Sequence, residues 1–294
     1  MKMKTAKRLM PYLFLDPFLI TLIVFRLWPL ISAIIMSFKE IKGIGTEKFI
    51  GLANYSSLLK DKSFLSSLGI TTIFAFSSLV VLTVIPLILS VILFNKNTPS
   101  RNLFRTIIFM PSLVSLVAAG TVFRLILSDQ AGLLNSLMAN LGMQPMKWLL
   151  DTNLTIPSLV LVASWRWTGM YIVYFSSGLA SIPTELYEAA RIDGASRFGL
   201  FRNITLPLLK PITVFVITIG LIGGFQVFVE PYVLYSAGRT PGDSGLTLAL
   251  YIYRKAFRNF DFGYAATIGV VMTGIILIVS VFQLKLTGFF KDSD

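Results

Sequence analysis

The sequence contains no histidine and no cysteine. Their absence excludes disulfides, thiol nucleophiles, imidazole bases and Cys/His metal sites, so most hydrolytic and redox chemistries lose their usual parts. Charge is scarce as well. Asp, Glu, Lys and Arg make up 14% of the 294 residues, where about 25% is usual in soluble domains. Apolar residues reach 55% with glycine left out of the count, against roughly 45–50% with it included. Too few charged residues remain to enclose a globular core of this length, which points to a single polytopic membrane domain over residues 1–294. The net charge of +12 has no dense basic run with interleaved aromatics behind it. Basic loops between apolar spans read as a topology signal rather than as a nucleic-acid footprint.

What is present is a series of long apolar runs. The first, 12–38, follows Lys2, Lys4, Lys7 and Arg8 and exceeds the roughly 7–15 residues of a signal-peptide core, so it reads as a retained spanning helix. Further runs at 64–94, 106–127, 154–176, 212–235 and 264–286 bring the expectation to six transmembrane helices in an all-α membrane fold. The run 64–94 is long enough to need tilt or a kink at Pro86. With both termini cytoplasmic, the inside segments hold 13 Lys and Arg in 62 residues and the outside segments 10 in 79. Lys96, Arg101 and Arg105 support that orientation; Lys39, Lys42, Lys48, Lys60 and Lys62 oppose it. The expected location is the cell membrane, as a multi-pass protein.

Charges inside apolar runs are costly and therefore informative. Asp16 and Arg124 lie near span ends, where side chains reach the interface by snorkelling. Arg26 and Arg166 sit mid-run, where insertion costs roughly 2.5–3.5 kcal/mol, so each is expected to face a cavity or a partner, in a structural pairing or a substrate contact.

The segment Ser181–Pro211 reads SIPTELYEAARIDGASRFGLFRNITLPLLKP, two short helices with an elbow. Pro183 and Thr184 suit a helix start, and Glu185 and Glu188 fall where the helix dipole favours anions. Gly194 permits positive φ at the end of the first helix, and Ser196 caps the second. Pro207 and Pro211 are expected to stop that helix before the fifth span. Leu186, Ala189, Ala190 and Ile192 fall on or near one side. Physically this is an amphipathic knob, or an interfacial helix lying on lipid headgroups.

Glu188-Ala189-Ala190, three residues, Gly194, nine residues, then Ile204-x-Leu206-Pro207 resembles the EAA loop of ABC importer permeases, EAA(x3)G(x9)IxLP, at every fixed position and both spacings. The likeness extends over nearly the whole chain and is to the binding-protein-dependent sugar permeases of the maltose and glycerol-phosphate type. Its further carriers are Phe49-Ile50-Gly51-Leu52-x-Asn54-Tyr55, Arg105-Thr106 leading to Pro111, Trp148-Leu149, and Leu248-x-x-Tyr251-x-Tyr253 with Phe260-Asp261-Phe262-Gly263-Tyr264-Ala265. Gly238–Gly245 and Glu230-Pro231 depart from that pattern, so no substrate contact is carried across there.

The resemblance implies a type I permease-like fold and half of a transmembrane heterodimer. Two ATPase subunits and an extracytoplasmic solute-binding protein would complete the system, with ATP and Mg bound by the ATPase and no cofactor, metal or catalytic residue in this chain. No GxxxxGK[ST] phosphate loop occurs here, which fits hydrolysis on another polypeptide. Glu188, Ala189, Ala190, Gly194, Ile204, Leu206 and Pro207 would form the docking knob that converts ATPase closure into alternating access. Sugars are held by aromatic faces and a few hydrogen-bonding groups. Trp165, Trp167, Tyr171, Tyr174, Gln226 and Glu230 are candidates, although aromatic-rich membrane helices more often serve packing or the lipid belt. If Arg166 faces the path, an anionic solute such as a glycerol phosphate or a uronate becomes the alternative cargo. An ATP-independent secondary transporter is a competing class resting on the six spans and Arg26 and Arg166. A membrane-embedded enzyme lacks a clustered acid, base or metal set.

Overall fold

A computed structural model describes residues 14–43, 45, 47–94 and 98–288. The orientation residues Lys2, Lys4, Lys7, Arg8 and Lys96, and the first two residues of the run 12–38, lie outside the described residues. The architecture is helical. Helix α1 covers Phe14–Ser37; its π turn, Ile23–Leu27, ends two residues before Pro29, whose missing N–H disturbs the regular bonding register. A two-stranded antiparallel hairpin follows, β1 (Lys39–Ile41) with β2 (Glu47–Phe49), in the register Lys39↔Phe49. Then come α2 (Ala53–Leu58), α3 (Lys62–Phe94), α4 (Arg101–Leu113), α5 (Leu116–Ile126), α6 (Leu133–Asn140) and α7 (Thr155–Ala180). The second half contains α8 (Thr184–Ile192), α9 (Arg197–Leu208), α10 (Lys210–Phe225), α11 (Val229–Leu234), α12 (Leu248–Tyr253) and α13 (Phe262–Leu286).

Among the described residues three helices, α1, α3 and α13, are individually long and apolar enough to cross a membrane. Two bent pairs raise that to five: α4 with α5, turning through 102°, and α9 with α10, through 66°. The remaining run, 154–176, is the 26-residue α7. Two runs read as single helices are therefore corrected. The run 106–127 breaks at Val114 and Ser115, both extended, three residues after Pro111. The run 212–235 breaks at 226–228. There Pro231 has no N–H to offer the carbonyl of Val227, which accepts from Thr247 Oγ1 at 2.8 Å instead. The prolines of the elbow are also placed differently: Pro207 lies within α9, and Pro211 opens α10 at its first turn, where proline costs nothing. Helix α3 runs on through Pro86.

The chain divides into two compact units. The first comprises residues 1–64 and 251–273. In it, buried Asn54 donates to the carbonyls of Ser37 and Lys39, both at 3.0 Å, and Tyr55 Oη meets Ser37 Oγ at 2.7 Å. The F-I-G-L-x-N-Y motif thus holds the C-terminal end of α1. Lys39 and Lys42, which opposed the topology signal, pair with Glu47 and Glu40 at 2.8 and 2.6 Å. Asp61 caps α3, accepting from the backbone N–H of Ser63 at 2.9 Å, and its other oxygen accepts from Tyr251 Oη at 2.5 Å and Tyr264 Oη at 2.7 Å. Lys255 Nζ lies 5.2 and 4.8 Å from the centres of those two rings, within cation–π range.

The second unit, residues 65–250 and 274–294, is built on α7. Phe123, Leu159, Val162, Val227 and Leu234 form one buried cluster, and Tyr171, Phe175, Leu179, Leu209 and Val216 another. Helices α7 and α4 approach at Gly169, where a Cβ would lie 2.3 Å from the Ile108 carbonyl oxygen; close backbone approach of this kind is how membrane helices gain contact without a hydrophobic driving force. Arg105 donates to the Leu93 carbonyl at 3.0 Å, at the C-terminal end of α3. Trp148 Nε1 donates to Asn135 Oδ1, also at 3.0 Å.

The Asp61 cluster carries a pH dependence. Burial pushes its carboxyl up, but hydrogen bonds from Tyr251, Tyr264 and the backbone outweigh that and hold it below its ordinary 3.8. Its contribution is then complete above pH 3.8 and is lost as pH falls through the lowered folded value. Tyr251 is pushed up from 10.0, by burial and then by Asp61, so its contribution is lost on the alkaline side. Asp61→Asn is expected to speed hydrogen exchange of the 251–264 amides at neutral pH. The wild type should match the variant only when acidified below 3.8.

Candidate functional site

Two features combine sequence-predicted residues with a distinct geometry. The first is the elbow of α8 and α9. Helix α8 begins after Pro183 and ends at Asp193, and Gly194 takes φ +82° while Ala195 N–H returns to the Ala190 carbonyl at 2.9 Å. A left-handed residue just past the last turn satisfies terminal carbonyls, and glycine adopts it without a Cβ penalty. Ser196 then caps α9, accepting from Gly199 N–H at 3.1 Å. Tyr187 Oη and Thr205 Oγ1, 3.0 Å apart, fasten the two helices to each other. Ile204 packs inward beside the cluster containing Leu209, while Glu188, Ala189, Leu206 and Pro207 are exposed and Ala190 is half-buried.

The tip of this elbow is exposed and mixes apolar side chains with Arg191, Asp193 and Arg197. Ile192 is 87% exposed and Phe198 69%, with Leu186 also exposed. Among the described residues, the two chain neighbours of Gly194 aside, no atom lies within 4 Å of a Cβ built on it. The conformational requirement for glycine is therefore intrinsic, and any steric requirement has to come from another molecule.

The second feature is a cavity of about 320 Å³ in the second unit, at the lower end of the range of small-molecule sites. Helices α3, α7 and α10 and the break leading into α11 form its walls. Five of the seven candidates for the substrate path line it: Trp167, Tyr171, Tyr174, Gln226 and Glu230. Glu230 is 8% exposed and accepts a hydrogen bond from the Trp167 side chain. Ser78 on α3 also reaches the wall; its only sequence signal is a hydroxyl within an otherwise apolar run. The glycines at 220, 223 and 224 supply open wall on α10.

Trp165 and Arg166 are placed elsewhere. Trp165 sets its ring edge against Phe123, centres 5.1 Å apart. Arg166 Nη1 donates to the carbonyl of Val114, in the break between α4 and α5, and its guanidinium lies 5.2 Å from the Trp167 ring centre. A cation at the C-terminal end of a helix complements its dipole, so the mid-run charge has a structural task. Arg26 lies on the π turn of α1; no hydrogen bond or ion pair to it is recorded among the described residues. No group of three or more potential metal ligands occurs among the described residues.

Residues 83–287 match the family described as binding-protein-dependent transport system inner membrane component. The chain belongs to that family. It is a multi-pass membrane permease component rather than an enzyme. Among its relatives is the arabinooligosaccharides transport system permease protein AraP of Bacillus subtilis, 44% identical over 97% of this chain and 91% of that protein. The lactose transport system permease protein LacF of Rhizobium radiobacter is 34% identical over 92% of both chains. The fold is similar to that of a chain in a crystal structure of a bacterial alginate ABC transporter bound to an alginate pentasaccharide-loaded periplasmic protein. That likeness has a TM-score of 0.86 at 22% identity and covers 97% of this permease and 96% of that chain.

The assignment of Arg166 to the α4–α5 break can be checked directly. Arg166→Met is expected to lower stability by about 1–3 kcal/mol, the worth of a charge-assisted hydrogen bond plus an unsatisfied carbonyl. Thermal unfolding in detergent measures it, and Arg166→Lys should recover part of the loss.

Proposed function

We propose that this permease is one half of the translocation pathway of an ATP-driven importer for sugars or oligosaccharides, loaded by an extracytoplasmic binding protein. The observation that carries the proposal is the exposed elbow. It has a fastened base, a left-handed glycine hinge and a tip at which Ile192 and Phe198 stand exposed among charged side chains. A surface of that kind fits a cleft on a soluble ATPase subunit, whose closure would move α8 and α9 as one body. Hydrolysis, with its ATP and Mg, then belongs to a pair of partner ATPase subunits. A second permease subunit completes the pathway as a heterodimer in the cell membrane.

In this reading six spans are formed by α1, α3, the α4–α5 pair, α7, α10 with α11, and α13, with both termini and the elbow on the cytoplasmic side. The names of AraP and LacF support a saccharide cargo, and arabino-oligosaccharides are the favoured class because the identity to AraP is 44%. The cavity supports the same class, since three aromatic side chains face a carboxylate and an amide across apolar walls.

Gly194→Leu tests the coupling role. The variant has to place a branched side chain at φ +82°, at a cost of about 1–2 kcal/mol, and has to fit it against the ATPase. Expected is a permease that still inserts and copurifies with its partner permease, while ATP-driven saccharide uptake in proteoliposomes falls to background. Uptake at the wild-type rate would sink the assignment.

A further inference from the structure

We infer that Glu230 is a specificity determinant that confines this permease to uncharged saccharides, excluding uronates and sugar phosphates; the inference rests on the saccharide cavity proposed above. Among the described residues that line the cavity, Glu230 is the only Asp or Glu, and no Lys or Arg is present. Arg166, whose charge acts on Glu230, makes no salt bridge to it; its Nη1 donates to the Val114 carbonyl. No ion pair to Glu230 is present among the described residues, the ion pairs recorded there being Lys39–Glu47 and Lys42–Glu40.

The consequence follows in either protonation state. An ionised Glu230 repels a second anion at close range in a low-dielectric space. A neutral Glu230 still leaves an entering carboxylate or phosphate with no lysine or arginine in the cavity wall to pair with it, and burying an unpaired anion is prohibitive. An uncharged saccharide meets neither obstacle. Its hydroxyls donate to the carboxyl group of Glu230 and exchange hydrogen bonds with the Gln226 amide, while its apolar ring faces lie on Trp167, Tyr171 and Tyr174.

The local structure keeps the carboxyl group available. The Trp167 side chain and the backbone N–H of Glu230 itself both bond to it, and a carboxylate has about four acceptor positions. Two such partners leave acceptor capacity on a carboxyl group that lines the cavity. Trp167 also provides the probe, because its indole shares the cavity with any occupant.

The experiment uses the complete transporter purified in detergent, with arabinotriose as the neutral probe and trigalacturonate as the anionic one. The Trp167 signal is isolated as the difference between wild type and Trp167→Phe. In the wild type, arabinotriose should quench this emission at concentrations at least about tenfold lower than trigalacturonate. Glu230→Gln keeps the acceptor oxygen and removes the charge, and should bring the ratio to within about threefold. Glu230→Asp keeps the charge and should preserve the preference, which separates a charge effect from a change in packing. Equal response to the two probes in the wild type, or an unchanged ratio in Glu230→Gln, overturns the inference while leaving the saccharide reading intact. Absence of any response to either probe, with no arabinotriose uptake in proteoliposomes, overturns the saccharide reading and this inference with it.

Discussion

A helix that breaks within a lipid bilayer has to find partners for the carbonyls it releases, because no water is present to take them. This chain breaks at 114–115 and again at 226–228, and it meets the requirement with side chains from distant elements. Arg166 donates to Val114, and Thr247 donates to Val227. Both breaks lie in the second unit, and both border the cavity: Leu116 follows the first, and Gln226, Val227 and Phe228 form the second.

The same constraint separates what was legible in the sequence from what was not. The elbow could be read almost residue by residue, since its determinants are local: a helix start at Thr184, a positive-φ glycine at 194, a capping serine at 196. The apolar runs were legible as membrane material because composition alone decides that. Their breaks were not. A run of valine, leucine and isoleucine looks alike whether the helix is whole or interrupted, and the deciding partners, Arg166 and Thr247, lie 52 and 20 residues away from the carbonyls they satisfy. Arg166 was recognisable as an anomaly, but nothing local distinguished a substrate contact from a structural bond. Asp61 gave no sign at all, because its tyrosine partners are 190 and 203 residues further along.

The cavity is likewise a product of distant residues. Trp167, Tyr171 and Tyr174 share a face of α7 through helical spacing, which the sequence does reveal. Their convergence with Gln226 and Glu230 requires α10 to end at Phe225. Trp165 and Trp167 are near neighbours on the same helix, yet the first packs on Phe123 and the second faces the cavity. Aromatic content alone could not divide them.

The open space around Gly194 makes that position a gauge. Among the described residues, its chain neighbours aside, alanine there meets no atom inside 4 Å and incurs only left-handed backbone strain, about 1–2 kcal/mol. Asparagine, which tolerates that conformation better than most residues, incurs less strain while being larger. Ranked by backbone strain alone, asparagine is the better substitute; ranked by size alone, alanine is. The order in which the two impair coupling therefore reports how closely a neighbouring subunit approaches the hinge, a distance recorded in this chain only by the side chain it omits.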